Sequence, residues 1–187
     1  MYPTRQEAEK LLTDAGRCNP GPWEEHSRVT ARCAERIAKT CEGLDSEKAY
    51  VLGLLHDIGR KFGARHLGHV YDGWQYMLRL GYDEAARICL THSFNEGTLE
   101  NYIGNFDITK EETEEIQQAL NKTELDDYDK LIRLCDLMAA AEGVIKMEER
   151  MSDIKRRYGL IHSRSGTRIW NLRLILKKNA NRIFTIW

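Results

Sequence analysis

The chain has 187 residues, of which 42% are hydrophobic and 30% charged, a composition typical of a soluble globular protein of about one domain. No run approaches the roughly 18 consecutive apolar residues of a membrane span, so no membrane partner is expected. The polar start MYPTRQEAEK lacks the apolar core of a signal peptide.

The net charge of −1 hides an asymmetry along the chain. Nine lysines and arginines follow Asp153, the last acidic residue, so residues 1–153 carry a charge of −10. A basic tail of this kind is compatible with a phosphate or nucleic-acid surface. The alternative, which the sequence favours, is that the tail docks on residues 107–129, where nine acidic residues stand against two lysines.

Apolar residues recur at the helical period in nearly every segment, and three prolines leave room for long helices, so the predicted fold class is all-α. Caps are predicted at Asp45 or Ser46 and at Asp83, and Thr109 with Glu112 forms a capping box. No segment shows the alternation of a strand. The eight or nine predicted helices cover, in chain order, about residues 4–17, 23–41, 46–58, 69–80, 82–94, 109–122, 126–143, 146–158 and 167–182.

The five cysteines are odd in number and contain no C-x-x-C pair. Cys33, Cys89 and Cys135 fall on apolar helical stripes. We expect buried thiols in a reducing cytoplasm rather than disulfides or a structural zinc site.

One short stretch places a carboxylate among core residues. In LLHDIGR, residues 54–60, His56 and Asp57 directly follow an apolar run. An ionised carboxylate in an apolar core needs a partner. Asp136, in LIRLCDLMAA, is a second carboxylate among apolar residues, and it needs a partner too. Arg133 or Lys130 on its own helix could be that partner.

Five of the six histidines lie between positions 26 and 92. His26, His56, His69 and His92 each stand near the start or end of a different predicted helix, where a bundle can direct side chains to one point. Imidazole and carboxylate together suit borderline divalent metals. The sequence therefore predicts a metal centre in the core.

Five stretches carry a resemblance to a known family: HSRV at 26–29, LLHDIGRK at 54–61, HVYDG at 69–73, THSF at 91–94 and LCDLMAA at 134–140. Their order resembles the HD-domain superfamily of metal-dependent phosphohydrolases. The two additional histidines resemble its two-metal subset, which includes diadenosine tetraphosphate hydrolases and cyclic dinucleotide phosphodiesterases. The resemblance implies a single HD-type domain over residues 1–187, with a core at about 23–140 and a basic helical extension at about 146–187.

The resemblance also implies a ligand set. One metal would be held by His26, His56, Asp57 and Asp136. His69 and His92 would complete a second site, with Asp57 bridging two divalent ions. Iron or manganese is favoured, and zinc, cobalt and nickel stay open.

The catalytic residues implied are Asp57 and, for the substrate phosphate, Arg60 or Lys61. Two close metal ions lower the pKa of a bound water toward about 7. A guanidinium or ammonium offsets charge that develops on the phosphate.

Three positions leave alternatives. His66 could replace His69 as a ligand, but Gly73, four residues after His69, matches the family pattern. Val29 comes one residue earlier than in that pattern, which leaves the role of Arg28 open. Trp23 is a candidate for stacking a base, although packing is the simpler expectation.

The expected function is hydrolysis of a phosphate ester or anhydride in a nucleotide or dinucleotide-like small molecule. Two alternatives are a di-iron oxygenase-type enzyme on a related bundle and a nucleotide-binding module without turnover. The sequence leaves the substrate and the oligomeric state undetermined, and nucleic acid is not the expected partner.

Overall fold

The computed structural model describes residues 1–94, 98–99, 102, 104–146, 149, 152 and 156. Within these residues the chain is mostly helical, which confirms the all-α prediction. A 3-10 turn, Ile58–Phe62, separates the third and fourth helices. The α-helices are α1 Arg5–Cys18, α2 Trp23–Ala38, α3 Ser46–Leu55, α4 Leu67–Arg79, α5 Asp83–Thr91, α6 Lys110–Lys122 and α7 Asp127–Met138.

Two of the predicted caps stand at the start of their helices. Thr109 and Glu112 form the predicted capping box of α6. Asp45, rather than Ser46, caps α3, because its carboxylate accepts from the backbone N–H groups of Glu47 and Lys48.

The cap predicted at Asp83 is wrong. Tyr82 stands at the N-cap position of α5 and makes no side-chain capping bond. The Asp83 carboxylate instead accepts from the amino group of Met1 at 2.8 Å.

Two further boundaries differ from the sequence prediction. Residues 58–62, expected as the end of a helix and the start of a loop, form the 3-10 turn. Helix α7 ends at Met138, not near residue 143, and a short antiparallel pairing follows between β1, Ala139–Ala140, and β2, Gly143–Val144. Gly143 has a φ of 141°, which a helix cannot accommodate.

The central helix is α3, whose residues from Ala49 to Leu55 are all buried. Helices α1, α2, α5 and α7 pack around it. A Cβ at Gly53 would lie 3.0 Å from the Cα of Ala31, so the glycine lets α2 approach α3 closely. The C-terminal end of α3, with His56 and Asp57, therefore lies inside the molecule.

A second close approach joins the 3-10 turn to α4. A Cβ at Gly59 would lie 1.9 Å from the carbonyl oxygen of His69 and 2.5 Å from the amide nitrogen of Gly73. Only a residue without a side chain fits this contact. The crossing brings Asp57 beside the first turn of α4.

The predicted burial of Cys33, Cys89 and Cys135 is confirmed. Within the described part of the chain, no helix combines the length and apolarity needed to cross a membrane. Of the helix predicted at 146–158, only residues 146, 149, 152 and 156 are described. The helix predicted at 167–182 and the rest of the basic tail, with its predicted docking on residues 107–129, lie outside the described residues.

Candidate metal centre

The carboxylate of Asp57 lies at the centre of the site and is only 4% exposed. Its Oδ1 is 3.2 Å from Nε2 of His69 and 3.5 Å from Nε2 of His92. Its Oδ2 accepts from Nε of Arg60 at 2.5 Å and is 4.0 Å from Nε2 of His56. The two oxygens of one carboxylate therefore face two different groups of side chains.

The first group combines residues from α2, the end of α3 and α7. The ligand atoms of His26, His56 and Asp57 all lie within 4.8 Å of one another. Asp136 joins them from α7, with Oδ1 at 2.9 Å from Nε2 of His26 and 3.5 Å from Nε2 of His56. Asp136 thus contacts both histidines of this first group.

The two cations on the helix of Asp136 that the sequence offers as its partners have contacts elsewhere. Lys130 donates to Asp127, and Arg133 donates to the carbonyl oxygens of Asp129 and Phe94.

The second group joins α4 to the end of α5. Nε2 of His69 and Nε2 of His92 are 3.2 Å apart, and both lie within 4.8 Å of the Asp57 carboxylate. The structure thus brings together all six residues that the sequence predicts as metal ligands.

Backbone carbonyls orient three of the imidazoles. Nδ1 of His56 donates to Gly53 at 2.7 Å, Nδ1 of His92 donates to Cys89 at 2.9 Å, and Nδ1 of His69 donates to His66. This network assigns the proton to Nδ1 in each ring, so the Nε2 lone pair points into the site.

His56 provides the test of whether a metal ion fits. Its Nε2 is one of two buried side-chain polar atoms that have no hydrogen-bond partner among the described residues. A buried polar atom without a partner is costly and needs an explanation. Because this lone pair faces two carboxylates and no donor, a cation fits the arrangement.

The electrostatics keep the site in the protonation state that a metal needs. Burial would raise the pKa of Asp57, but Arg60, His69 and His56 outweigh it and hold that pKa well below the usual value. Burial lowers the pKa of His69, and this effect outweighs the charge of Asp57, which raises that pKa. Ionised carboxylates and neutral imidazoles are the forms that bind metal.

Asp136 is held in the same state. Its own burial would raise its pKa, but the neighbouring imidazoles of His26 and His56 lower it well below the usual value.

Of the two basic residues predicted to meet a phosphate, the structure brings Arg60 to the cluster. Arg60 bonds Asp57 through Nε, and the charge of Asp57 raises the pKa of the guanidinium, while 32% of the side chain stays exposed. Lys61 turns toward α4, where its ammonium donates to the hydroxyl of Tyr76 at 3.2 Å.

His66 lies outside the cluster. It is exposed and stands at the N-cap position of α4, where its carbonyl oxygen accepts from Nδ1 of His69. Asp107 fixes this end of the helix by accepting from the backbone N–H groups of His66 and Gly68 at 2.6 and 2.8 Å. His66 thus orients His69 through its main chain.

Arg28 and Trp23 serve the fold. Arg28 pairs with Glu9 and Glu24 between α1 and α2. Trp23 is 9% exposed, and its Nε1 donates to the carbonyl oxygen of Asn19 at 2.8 Å. The buried ring belongs to the core, which agrees with packing rather than base stacking.

Sequence reasoning missed two contacts near His92. The hydroxyl of Ser93 lies 2.9 Å from Nε2 of His92, and only its position next to a histidine could have indicated this. The hydroxyl of Thr91 donates to the buried carboxylate of Asp129 at 2.5 Å, which ties the end of α5 to α7.

Comparison with known families agrees with this geometry. The family model described as the HD domain matches residues 23–141, nearly two thirds of the chain. The chain therefore belongs to the HD-domain family, and this membership indicates metal-dependent phosphohydrolase activity in general. The chain shows no significant match to a curated protein or to a solved structure.

Proposed function

We propose that this protein is a phosphohydrolase that uses metal-activated water to cleave a phosphate ester or anhydride of a nucleotide or dinucleotide-like small molecule. The observation that carries the proposal is the convergence of histidine Nε2 atoms on both oxygens of Asp57, beside the guanidinium of Arg60. Family membership supports the reaction class. The proposal that the substrate is a nucleotide rests on the resemblance to the two-metal subset of the family.

The six converging residues would hold two divalent ions. His26, His56, Asp57 and Asp136 would form one site, and His69 and His92 would form the other, with Asp57 shared. The two oxygens of the Asp57 carboxylate, one near His56 and the other near His69, support this sharing. A donor set rich in imidazole favours iron or manganese and is compatible with zinc, cobalt or nickel.

When bound, such ions lower the pKa of a coordinated water toward about 7 and polarise phosphoryl oxygens. The protein's own contribution is charge and orientation. Asp57 fixes the guanidinium plane of Arg60 through Nε, which leaves the other N–H groups able to bind phosphate oxygens. Leu54, Leu55 and Ile58, all fully buried, exclude water behind the site.

The central test is Asp57→Ala in the purified full chain. We expect its metal content, measured by elemental analysis, to fall to background, and hydrolysis of a panel of nucleotides and dinucleotides to be lost. Asp127→Ala is the matched control, because Asp127 is exposed and pairs with Lys130 on the surface. Metal content and hydrolysis equal to wild type in Asp57→Ala would refute the proposal.

A second candidate is a di-iron oxygenase-type enzyme. The observation that favours it is the number of imidazoles, four around two carboxylates, a donor set that also suits iron in oxygen chemistry. Turnover assays with and without oxygen separate the two candidates. Hydrolysis that proceeds equally in both conditions removes this second candidate, and binding without any turnover would leave only a nucleotide-binding module.

The proposed setting is the cytoplasm, with a small phosphorylated molecule as the partner. The support is the burial in the core of three cysteines that form no disulfide with one another, Cys33, Cys89 and Cys135. Fractionation of the native host followed by detection of the protein in the cytosolic fraction tests this proposal.

A further inference from the structure

The end of α1 is joined to the turn that carries Arg60 by one side-chain hydrogen bond. The side-chain amide of Asn19 donates through Nδ2 to the carbonyl oxygen of Arg60 at 2.6 Å. The same carbonyl accepts from the backbone N–H of Gly63 at 3.1 Å, which closes the 3-10 turn. The amide of Asn19 therefore fastens this turn to a helix distant in sequence.

The main chain holds Asn19 firmly for this contact. Its backbone N–H donates to the carbonyl oxygen of Ala15 at 3.2 Å, and its own carbonyl oxygen accepts from Nε1 of Trp23 at 2.8 Å. Pro20, the next residue, ends the helix by forcing the preceding residue toward extended backbone. Asn19 accordingly has a φ of −141°, which any residue can adopt.

Arg60 is thus held at three points. Its backbone N–H donates to the carbonyl oxygen of Asp57 at 3.0 Å, its Nε donates to the carboxylate of Asp57 at 2.5 Å, and its carbonyl is held by Asn19. The first two contacts lie within four residues of chain. Of these three contacts, the third reaches a residue outside the turn.

We propose that Asn19 is a positioning residue, which fixes the turn so that Arg60 presents its guanidinium to the substrate phosphate. This inference rests on the proposed function, since it assumes that Arg60 binds phosphate. Asn19 precedes residues 23–141, so part of the site is supported from outside the segment that the family model matches.

The first test measures the arginine itself, in the metal-loaded full chain. Asn19→Ala removes the amide while the backbone contacts to Ala15 and Trp23 remain. We expect the rate at which phenylglyoxal modifies Arg60, followed by peptide mass spectrometry, to rise about threefold to tenfold, the range that one lost hydrogen bond supports. Asn121→Ala is the matched control, because Asn121 is an exposed helical asparagine.

The second test measures the binding of inorganic phosphate by calorimetry. We expect Asn19→Ala to weaken phosphate binding about threefold to tenfold. In an Arg60→Ala background the same change should have no further effect, since there is no guanidinium left to position. Thermal unfolding confirms that each variant is folded, and Asn19→Ser, too short to reach the carbonyl, replaces alanine if it does not fold.

Two results would overturn the positioning role. One is an unchanged modification rate of Arg60 in the Asn19 variant, and the other is an equal loss of phosphate binding with and without Arg60. Failure of the proposed function looks different. In that case wild type and Arg60→Ala bind phosphate equally, whereas the modification rate still reports whether Asn19 holds Arg60.

Discussion

Two polar clusters between the described helices differ in whether hydrogen-bond donors of the protein pair with their acceptors. We call the first the Glu9 cluster, formed by Glu9, Arg28 and Tyr50 between α1, α2 and α3. The hydroxyl of Tyr50 and the guanidinium of Arg28 each donate to one oxygen of Glu9. Burial would raise the pKa of Glu9, but these two donors outweigh it and lower that pKa.

The candidate metal centre is built differently. With the Nδ1 protons donated to backbone carbonyls, Nε2 of His69, Nε2 of His92 and the Asp57 carboxylate face one another as acceptors. Nε2 of His56 has no hydrogen-bond partner within the part of the chain that the structure describes. Arg60 donates to Asp57 and the hydroxyl of Ser93 lies beside Nε2 of His92, but the converging acceptors outnumber these donors. A cation between them would offset the repulsion of their lone pairs and negative charges. The difference separates a cluster that the protein satisfies by itself from one whose donor atoms fit a divalent metal ion.

The largest expected effect comes from breaking the metal centre at His56. His56→Ala should weaken metal binding by at least about 100-fold, since changes to groups that only orient ligands already cost about 10–100-fold. Tyr50→Phe, which removes a donor from the Glu9 cluster, should leave metal affinity unchanged. Calorimetric titration of the metal-free proteins measures both, and equal affinities for wild type and His56→Ala would contradict the comparison.

Removal of the metal should destabilise the fold. Metal present at 100 times its dissociation constant stabilises the native state by about 2.7 kcal/mol, so a chelator should lower the free energy of unfolding by that amount. A variant of the Glu9 cluster should lose the same amount of unfolding free energy when the chelator is added, because its own defect is independent of metal binding. A chelator that leaves the urea unfolding midpoint of wild type unmoved would show that no cation fills the centre.

The two neighbouring histidines should differ in metal stoichiometry. We expect His69→Ala to lose one of two bound ions, with affinity at that site weakened at least about tenfold. His66→Ala should retain both ions, since only its main chain touches the site. Elemental analysis after dialysis measures the ratio. A loss in His66→Ala with none in His69→Ala would reverse the assignment.

Within the Glu9 cluster, Glu9→Gln should cost about 1 kcal/mol of unfolding free energy. This is less than the roughly 1.5–3 kcal/mol of a hydrogen bond to a charged group, because the side chain of Glu9 is one third exposed. Metal content should stay at the wild-type value. Glu42→Gln, at an exposed position, is the control and should change stability by less than about 0.5 kcal/mol. Loss of metal in Glu9→Gln would show that the two clusters are coupled.

The smallest expected effect is the pH dependence of the stability difference between wild type and Glu9→Gln. The pKa of Glu9 is lowered from 4.5 in the folded state, so its charge stabilises the fold above 4.5, and this contribution is lost as the pH falls toward the lowered pKa. The stability difference between wild type and Glu9→Gln should therefore shrink between pH 5 and pH 3. Urea unfolding across that range measures it, and a difference that grows on acidification would contradict the sign.

Patterns within a few residues of sequence predicted the helices well. They failed where groups distant in the chain compete for the same side chain or backbone. The capping box at Thr109 needs only residues within one turn, so the sequence predicted it correctly. The Asp83 carboxylate was predicted as a cap, but the amino group of Met1 attracts it across 82 residues of chain. The end of α7 was misplaced because the pairing of Ala139 with Val144 competes with helix continuation.

The sequence by itself determined the helical class and the residue types of the candidate site, since the period of apolar residues, the capping pattern and the HD motif are all local properties of the chain. The tertiary structure decided which side chains meet. It brought His69 rather than His66 to Asp57, directed Lys61 to Tyr76, and placed Asn19 against Arg60. These choices depend on how helices cross, as at Gly59 and α4, and that geometry arises from packing between residues far apart in the chain.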